Sequence, residues 1–167
     1  ATERGPLLAE LLEAARQRGV RVRELEVGGI ELPGQPAQLS VLHPRASGTS
    51  TNDASLVLRV ALGEVAFLFT GDLEQEGERL LLEQEVPRSS ILKVPHHGSR
   101  SGSSPELLAR VAPRHAIISV GRNRFGLPSA EVLRRFEDFG VAVHRTDLHG
   151  AVTVRTDGAS AFVQHYL

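Results

Sequence analysis

The sequence predicts an α/β domain, because strand-like and helix-like patterns alternate along most of the chain. Apolar runs of strand length at residues 65–70 and 91–94 are each followed by a helix pattern. Capping residues mark the helix starts, as at Ser104, which precedes Pro105 in the first helical position. Strands that alternate with helices indicate βαβ units and a parallel sheet.

The first quarter of the chain predicts one helix and two short strands. Residues 6–18 repeat leucine and alanine at helical spacing, and Gly19 follows as a helix-ending glycine would. Short β patterns at residues 20–27 and 38–42 come next, joined by the glycine- and proline-rich stretch 28–36. We therefore expect an amphipathic helix before the sheet begins.

The rest of the chain predicts a hairpin and then the alternating elements. Residues 55–60 and 65–70 form an apolar pair around a tight link at Gly63, which indicates a β-hairpin. The elements that follow are a helix at 74–83, a strand at 91–94, a helix beginning at Ser104, a strand at 115–120, a helix from Ser129 to Gly140, a strand at 141–144 and a hairpin of 152–155 with 159–165. The length of 167 residues and the apolar fraction of 41% suit one globular domain.

The charge balance and the absence of cysteine exclude several classes of protein. Nineteen basic and twenty acidic side chains give a net charge of -1, which argues against a cationic protein that wraps nucleic acid non-specifically. No cysteine is present, so disulfides, thiolate zinc sites and a cysteine nucleophile are excluded. No run of about 18 apolar residues occurs, so we do not expect the chain to span a membrane. It also has no methionine, even at position 1, and we expect it to be part of a longer polypeptide.

A carboxylate and two histidines follow the ends of two successive predicted strands. Asp72 comes directly after residues 65–70, and His96 and His97 come directly after residues 91–94. Parallel strands that feed helices end at one common edge of the sheet, so these side chains are expected to converge. Carboxylate oxygens and neutral imidazoles bind zinc and manganese, and the pattern therefore predicts a divalent metal site. The alternative is a turn with a helix cap and a polar loop.

Polar residues beside other predicted strands are further candidates. Asn52 and Asp53 precede a strand, where they could lie near the metal or form only a turn. Thr146 and Asp147 follow a strand at the same expected edge, and the alternative there is a turn that opens the last hairpin. The remaining histidines show no partner spacing and are expected to be structural, with one ambiguous case at His149.

Arginines in two loops next to the proposed metal suggest a site for phosphate. Arg100 lies in the loop after His97, and Arg122 and Arg124 lie in the loop after Ser119. Ser99 and Asn123 lie in the same two loops. A guanidinium group can bind phosphate through two parallel hydrogen bonds. The alternative is compositional, because nearly every basic residue of the chain is arginine.

Five segments in order, TNDASLVL, FLFTGD, LKVPHHGS, SVGRNRFG.P and TD..G, resemble the metallo-β-lactamase-like domain at the C-terminal end of the ComEC family of DNA-uptake competence proteins. The resemblance implies an αββα sandwich with a one- or two-metal centre at the sheet edge. It assigns Asp72 as a metal ligand that also positions water, and His96 or His97 as the last histidine ligand. We favour His96 as the direct ligand and place His97 behind it, with Asp72 and His97 as the catalytic pair.

Two departures from the family pattern lower the metal affinity and the catalytic activity that we expect of this chain. The HxHxDH segment that supplies most metal ligands is absent, so residues 1–167 are expected to be a single domain fragment, the C-terminal half of the sandwich. With few ligands, the fragment alone should bind zinc or manganese weakly or not at all, be inactive, and self-associate through its uncovered sheet. Leu127 stands where the family loop carries a histidine, and this replacement should weaken catalysis if that histidine donates a proton.

The resemblance implies a metal-dependent phosphodiesterase or nuclease domain that acts on incoming DNA. Its partners would be single- or double-stranded DNA and the rest of a membrane channel protein, with the domain on the extracytoplasmic side. The alternative is a catalytically degenerate module that docks DNA or a partner at the uptake channel. The scarcity of aromatic residues, 4% of the chain, counts against a dedicated single-strand binder.

Overall fold

The computed structural model describes residues 6–22, 26–30, 32, 34–44 and 50–167. The strands are β1 (Gly28–Ile30), β2 (Gln38–His43), β3 (Val57–Leu62), β4 (Val65–Phe69), β5 (Ile91–Lys93), β6 (His115–Ile118), β7 (Ala142–Arg145), β8 (Ala151–Thr156) and β9 (Ala161–Tyr166). The helices are α1 (Pro6–Gln17), α2 (Gln75–Leu82), α3 (Pro105–Val111), α4 (Ala130–Asp138) and α5 (Thr146–His149), with a short 3-10 turn at Pro95–Gly98.

Seven strands form one mixed sheet in which β1 to β7 lie side by side in chain order. Strands β1 to β4 pair antiparallel, and β4 to β7 pair parallel through helical crossovers. Strands β8 and β9 form a separate two-stranded hairpin. The predicted α/β class is confirmed, with the parallel half of the sheet carrying the alternating elements.

Helices α2, α3 and α4 cover one face of the sheet and form the main core with it. Leu68, Leu92 and Ile118 of the central strands are buried in one cluster with Leu81 of α2 and Phe136 of α4. Each such side chain contributes about 1.5–3 kcal/mol when it is fully removed from water. The parallel strands are therefore anchored by their helices, which holds the loops at their ends in place.

The opposite face of the sheet is only partly covered. Side chains alternate between the two faces along a strand, so Phe67 and Phe69 point away from the helices that Leu68 contacts. The two phenylalanine rings stack with centroids 6.3 Å apart, and Phe69 remains 42% exposed. A sheet with helices on one face and a half-covered apolar second face is compatible with one half of an α/β sandwich.

Two hairpin turns contact each other through their backbones. The N–H of Glu64 donates to the carbonyl of Gly158 at 2.7 Å, which joins the β3–β4 turn to the β8–β9 turn. A Cβ atom on Gly63 would lie 2.5 Å from that same carbonyl oxygen, and Gly63 has a φ of 55°. Only glycine fits this contact, so the hairpin predicted around Asp157 is held against the sheet at its tip.

One predicted strand differs from the structure. The strand predicted at residues 20–27 is wrong for residues 20–22 and 26–27, and residues 23–25 lie outside the described residues. The strand forms instead at Gly28–Ile30, inside the stretch predicted as a connector, because β2 offers it an antiparallel partner there. Residues 146–149, for which the sequence suggests either a site role or a turn that opens the last hairpin, form the short helix α5.

Helix α1 forms where it is predicted, but its apolar side has no cover among the residues that the structure describes. None of its 12 residues is buried, and Leu7 and Leu11 are largely exposed. Twelve residues span about 18 Å at the helical rise of 1.5 Å per residue, which is shorter than a bilayer core. In the part of the chain that the structure describes, no helix is long and apolar enough to cross a membrane.

Four histidines gather between the sheet and the final hairpin. His144 of β7 shares one hydrogen bond with His115 of β6, at 3.0 Å, and another with His165 of β9, at 2.9 Å. His149 stacks on His165 with ring centroids 4.4 Å apart, and its Nδ1 accepts from the backbone N–H of Arg145. Each hydrogen bond between two rings needs an N–H on one ring and a lone pair on the other, so two bonded rings cannot both be doubly protonated.

We predict that acid weakens the fold through these histidines. Burial lowers the pKa of His144, and the neighbouring histidines lower it further. The unfolded chain therefore binds protons more readily than the folded one, so the free energy of unfolding should fall as pH drops from about 7.5 to about 5. Urea denaturation at several pH values measures this dependence. His144→Asn should flatten it, whereas an equally steep dependence in this variant would contradict the assignment.

Candidate functional site

The candidate site lies at the edge where the parallel strands end. Asp72 follows β4, the pair His96 and His97 follows β5, and Thr146 follows β7. Parallel strands place their carboxyl ends at one edge, where α/β sheets bind ligands. The structure thus brings the carboxylate and both histidines to one edge, as the strand pattern predicts.

Hydrogen bonds join the loops at this edge to one another. The N–H of His96 donates to the carbonyl of Gly71, 3.2 Å away on the neighbouring loop. The Thr146 hydroxyl donates to the carbonyl of Val120 at 2.7 Å and accepts from its N–H at 2.8 Å. Thr146, a candidate from the sequence, therefore fixes the loop after β6 to the start of α5.

The histidine pair adopts an uncommon backbone conformation. His96 and His97 have φ values of 44° and 54°, and Gly98 follows with 84°. Left-handed conformations of residues other than glycine cost about 1–3 kcal/mol each and persist only where neighbours impose them. A Cβ on Gly98 would lie 2.6 Å from the Pro128 side chain, so the turn packs tightly against the next loop.

His97 is oriented towards Asp72. Its Nδ1 donates to the carbonyl of Ser119 at 2.7 Å, because a carbonyl can only accept. The neutral ring then carries its lone pair on Nε2, which lies 3.8 Å from Oδ1 of Asp72. Histidines that bind a metal commonly donate their second ring N–H to a backbone carbonyl, so this orientation is compatible with His97 as one ligand.

His96 faces a different carboxylate. Its Nδ1 is buried and lies 2.9 Å from Oε1 of Glu74, but the angles are not those of a hydrogen bond. Glu74 in turn accepts from the Ser101 hydroxyl at 3.3 Å, and Ser101 contacts Ser99 at 2.9 Å. The geometry therefore aligns His97 with Asp72, whereas the sequence favours His96 as the direct ligand.

The donors at this edge match a divalent cation in type but are few. Asp72 and His97 supply one oxygen and one nitrogen, and both side chains are about half exposed. Among the residues that the structure describes, no group of three or more histidine, aspartate or glutamate side chains is arranged to hold a metal ion. The pair fits a cation as two ligands of a larger set.

Asp53 has a structural role in the observed geometry. Its buried carboxylate accepts from the N–H of Gly77 at 2.8 Å and from the Ser50 hydroxyl at 2.8 Å, so it caps helix α2 from a distance. Its carbonyl accepts from His43 at 2.7 Å. Asn52 lies beside it in the turn at residues 51–54. These contacts favour the structural interpretation of this pair.

The three candidate arginines occupy two places. Arg100 lines a cleft beside α4 with Glu131 and Arg135, whereas Arg122 and Arg124 lie together on the loop after β6. All three candidates are exposed. The three candidate arginines therefore line two different clefts.

Asp147 is engaged by a neighbouring arginine. Arg145 donates to it twice, at 3.0 Å and 2.6 Å. The hydrogen bond from Arg145 is the main cause that holds the pKa of Asp147 below its ordinary value. This carboxylate therefore forms an ion pair on the α5 turn.

Two charged residues near the site were not selected from the sequence. Lys93, at the end of β5, has a pKa lowered by burial and raised in part by attraction to Asp72. Glu78 is buried and accepts from the N–H groups of Ser103 and Ser104, at 2.5 Å and 2.9 Å, and burial raises its pKa. Lys93 could have been noticed as the only lysine of the chain, but nothing local marks Glu78.

Comparison with known proteins shows similarity to long competence proteins. No protein-family model matches the chain. It is 36% identical to ComE operon protein 3 of Bacillus subtilis over 87% of its own length and 19% of that protein. It is 39% identical to Competence protein ComA of Neisseria gonorrhoeae over 60% of the chain and 15% of the relative. Recombination protein 2 of Haemophilus influenzae is 32% identical over 87% of the chain and 19% of the relative. The chain spans less than a fifth of the length of these curated relatives.

We predict that Asp53 stabilises the fold and binds no metal. Asp53→Ala leaves the N–H of Gly77 without its acceptor inside the protein, so it should lower the free energy of unfolding by about 2 kcal/mol. Asp53→Asn keeps an acceptor oxygen and should retain most of the stability. Urea denaturation compares the two variants. A metal-ligand role would show instead as lost manganese affinity in Asp53→Asn with unchanged stability.

Proposed function

The chain is homologous to part of the ComEC family of DNA-uptake competence proteins, and we propose that it is a metallo-β-lactamase-like phosphodiesterase domain that acts on incoming DNA. The orientation of His97 towards Asp72 is the main support. A nitrogen and an oxygen donor meet at the sheet edge, and a backbone carbonyl fixes which ring nitrogen is free. This is the edge at which α/β folds bind their ligands.

The residues of the site have separable roles in this proposal. Asp72 and His97 hold a zinc or manganese ion, which when bound supplies Lewis-acid activation of a phosphate ester. His96 stands beside them with a buried ring nitrogen that lacks a hydrogen bond, close to Glu74. Arg122 offsets negative charge on a bound phosphodiester from the adjacent loop. Since only two described residues supply donors, the chain by itself should bind the ion weakly.

The names of the relatives support a role in competence. Three of them are named as a ComE operon protein, a competence protein and a recombination protein. The substrate we propose is therefore DNA in uptake, single- or double-stranded. The partner is the remainder of a membrane channel protein, with this domain on the extracytoplasmic side.

A catalytically degenerate docking module is the second candidate. Leu127 favours it, because this side chain can neither donate a proton nor contact a phosphate through a hydrogen bond. The small number of metal donors favours it as well. Such a module would bind DNA at the same edge without cleaving it.

Metal titration tests the ligand assignment. We expect weak manganese binding by the chain, reduced at least about tenfold in Asp72→Ala and in His97→Asn, since each removes one of two donors. Asparagine tolerates the left-handed backbone at His97, so the turn is retained. Asp138→Ala, an exposed carboxylate on α4, is the control and should bind manganese as the wild type does. Equal affinity in Asp72→Ala would contradict the site. A loss in His96→Asn but not in His97→Asn would restore His96 as the ligand.

A cleavage assay separates the two candidate functions. We expect manganese-dependent release of nucleotides from labelled DNA by the full-length protein, abolished by Asp72→Ala. If a histidine in this loop donates a proton to the leaving group, Leu127→His should raise turnover. General acid catalysis typically contributes about 10²-fold or more. DNA binding without any cleavage in metal-loaded full-length protein would instead favour the docking module.

A further inference from the structure

We propose that the loop Gly121–Leu127 is a binding platform for single-stranded nucleic acid, with Phe125 stacking on a base and Arg122 and Arg124 contacting the backbone phosphates. The proposal rests on the proposed function in so far as DNA is the substrate. It specifies that the nucleic acid is single-stranded and that Phe125 contacts its bases. It also assigns a role to an aromatic side chain that composition alone does not single out.

Phe125 is the observation from which the proposal starts. Its side chain is 74% exposed, among the most exposed of the large apolar residues that the structure describes. The guanidinium of Arg124 lies 5.8 Å from the centre of its ring. Single exposed apolar residues are common on proteins, but an aromatic ring next to Arg124, with Arg122 on the same loop, offers both an apolar surface for a base and positive charge for a phosphate.

The loop is held in one shape by a single side chain. The Asn123 amide donates to the carbonyls of Gly121 and Leu127, each at 2.9 Å. Its oxygen accepts from the N–H groups of Phe125 and Leu127, at 3.0 Å and 3.1 Å. These four hydrogen bonds organise the loop before any ligand arrives. Binding then costs less conformational entropy than it would with a loop that must be ordered.

Both ends of the loop are fixed to the histidine turn of the candidate site. At its start, the carbonyl of Ser119 accepts from His97 at 2.7 Å. At its end, the N–H of Ser129 donates to the carbonyl of Gly98 at 2.9 Å, next to the close contact between Gly98 and Pro128. The platform is thus attached to the same turn that directs His97 at Asp72. A nucleic-acid strand with a base stacked on Phe125 would lie beside the proposed metal site.

The chemistry of the loop favours a single strand over a duplex. A ring that projects from a loop can stack on an unpaired base, whereas the bases of a duplex are already stacked on each other. In the described part of the chain, the arginines within ion-pair distance of a carboxylate are Arg16, Arg79, Arg135 and Arg145, so neither Arg122 nor Arg124 has a carboxylate partner there that would compete with a phosphate. The net charge of -1 means that this local patch, and not the whole surface, attracts the strand.

A single engineered tryptophan tests the stacking directly. The chain contains no tryptophan, so Phe125→Trp places the only indole on the loop. Oligothymidylate added without metal should quench its fluorescence, whereas a duplex or an abasic strand of the same length should quench much less. The matched control is Phe162→Trp on β9, a site of similar exposure at 61%, which should not respond. Equal quenching at both positions, or by the abasic strand, would overturn the proposal.

Binding measurements on the native loop give the second readout. Phe125→Ala and Phe125→Leu should both weaken oligothymidylate binding from about 5-fold to about 150-fold, because leucine keeps an apolar surface but has no ring to stack. Wild-type affinity in Phe125→Leu would overturn stacking. If Phe125 variants bind normally while cleavage still depends on Asp72, the platform is wrong and the phosphodiesterase stands. If binding depends on Phe125 but metal-loaded full-length protein cleaves nothing, the platform stands and the phosphodiesterase fails.

Discussion

The left-handed turn at His96, His97 and Gly98 is the constraint on which the candidate site depends. Two successive residues other than glycine in this conformation are costly, and here several contacts impose it. The backbone of the turn bonds to the loop after β4 and to the start of α4, and Gly98 admits Pro128 at close range. Because the strain is held by neighbours on both sides, the direction of the His97 ring follows from the packing of the whole sheet edge.

Burial distinguishes the acidic residues that stabilise the fold, Asp53 and Glu78, from Asp72, whose carboxylate is accessible to a ligand. Asp53 and Glu78 are both buried and both accept from backbone N–H groups, at the start of α2 and at the start of α3. In each case the side chain replaces water as the hydrogen-bond partner of a helix terminus, which compensates for burying a polar group. Asp72 is half exposed, and Nε2 of His97 lies 3.8 Å from its Oδ1, beyond hydrogen-bond distance. It keeps its oxygens available for a ligand.

The regions around the sheet are held by different forces. Helices α2 to α4 are fixed by apolar burial, which is insensitive to pH in the neutral range. The β8–β9 hairpin contains no buried residue and is joined to the sheet by a backbone hydrogen bond at its tip and by a chain of hydrogen-bonded histidines. The helical layer that positions the site is therefore the more robust part, and the hairpin is the part that responds to protons.

The sequence by itself determined the order of the elements and the strand ends at which Asp72 and His97 stand. Periodicity, capping serines and turn glycines are local properties, and they mark the parallel half of the sheet, its helices and the final hairpin correctly. Only the tertiary structure decided which of the two histidines faces the carboxylate, that Asp53 caps a helix, and that four separated histidines meet. Their partners lie about 20 to 30 residues away along the chain, as His144 does from His115 and His165. Such contacts are set by how layers pack, and no pattern of neighbouring residues records that packing.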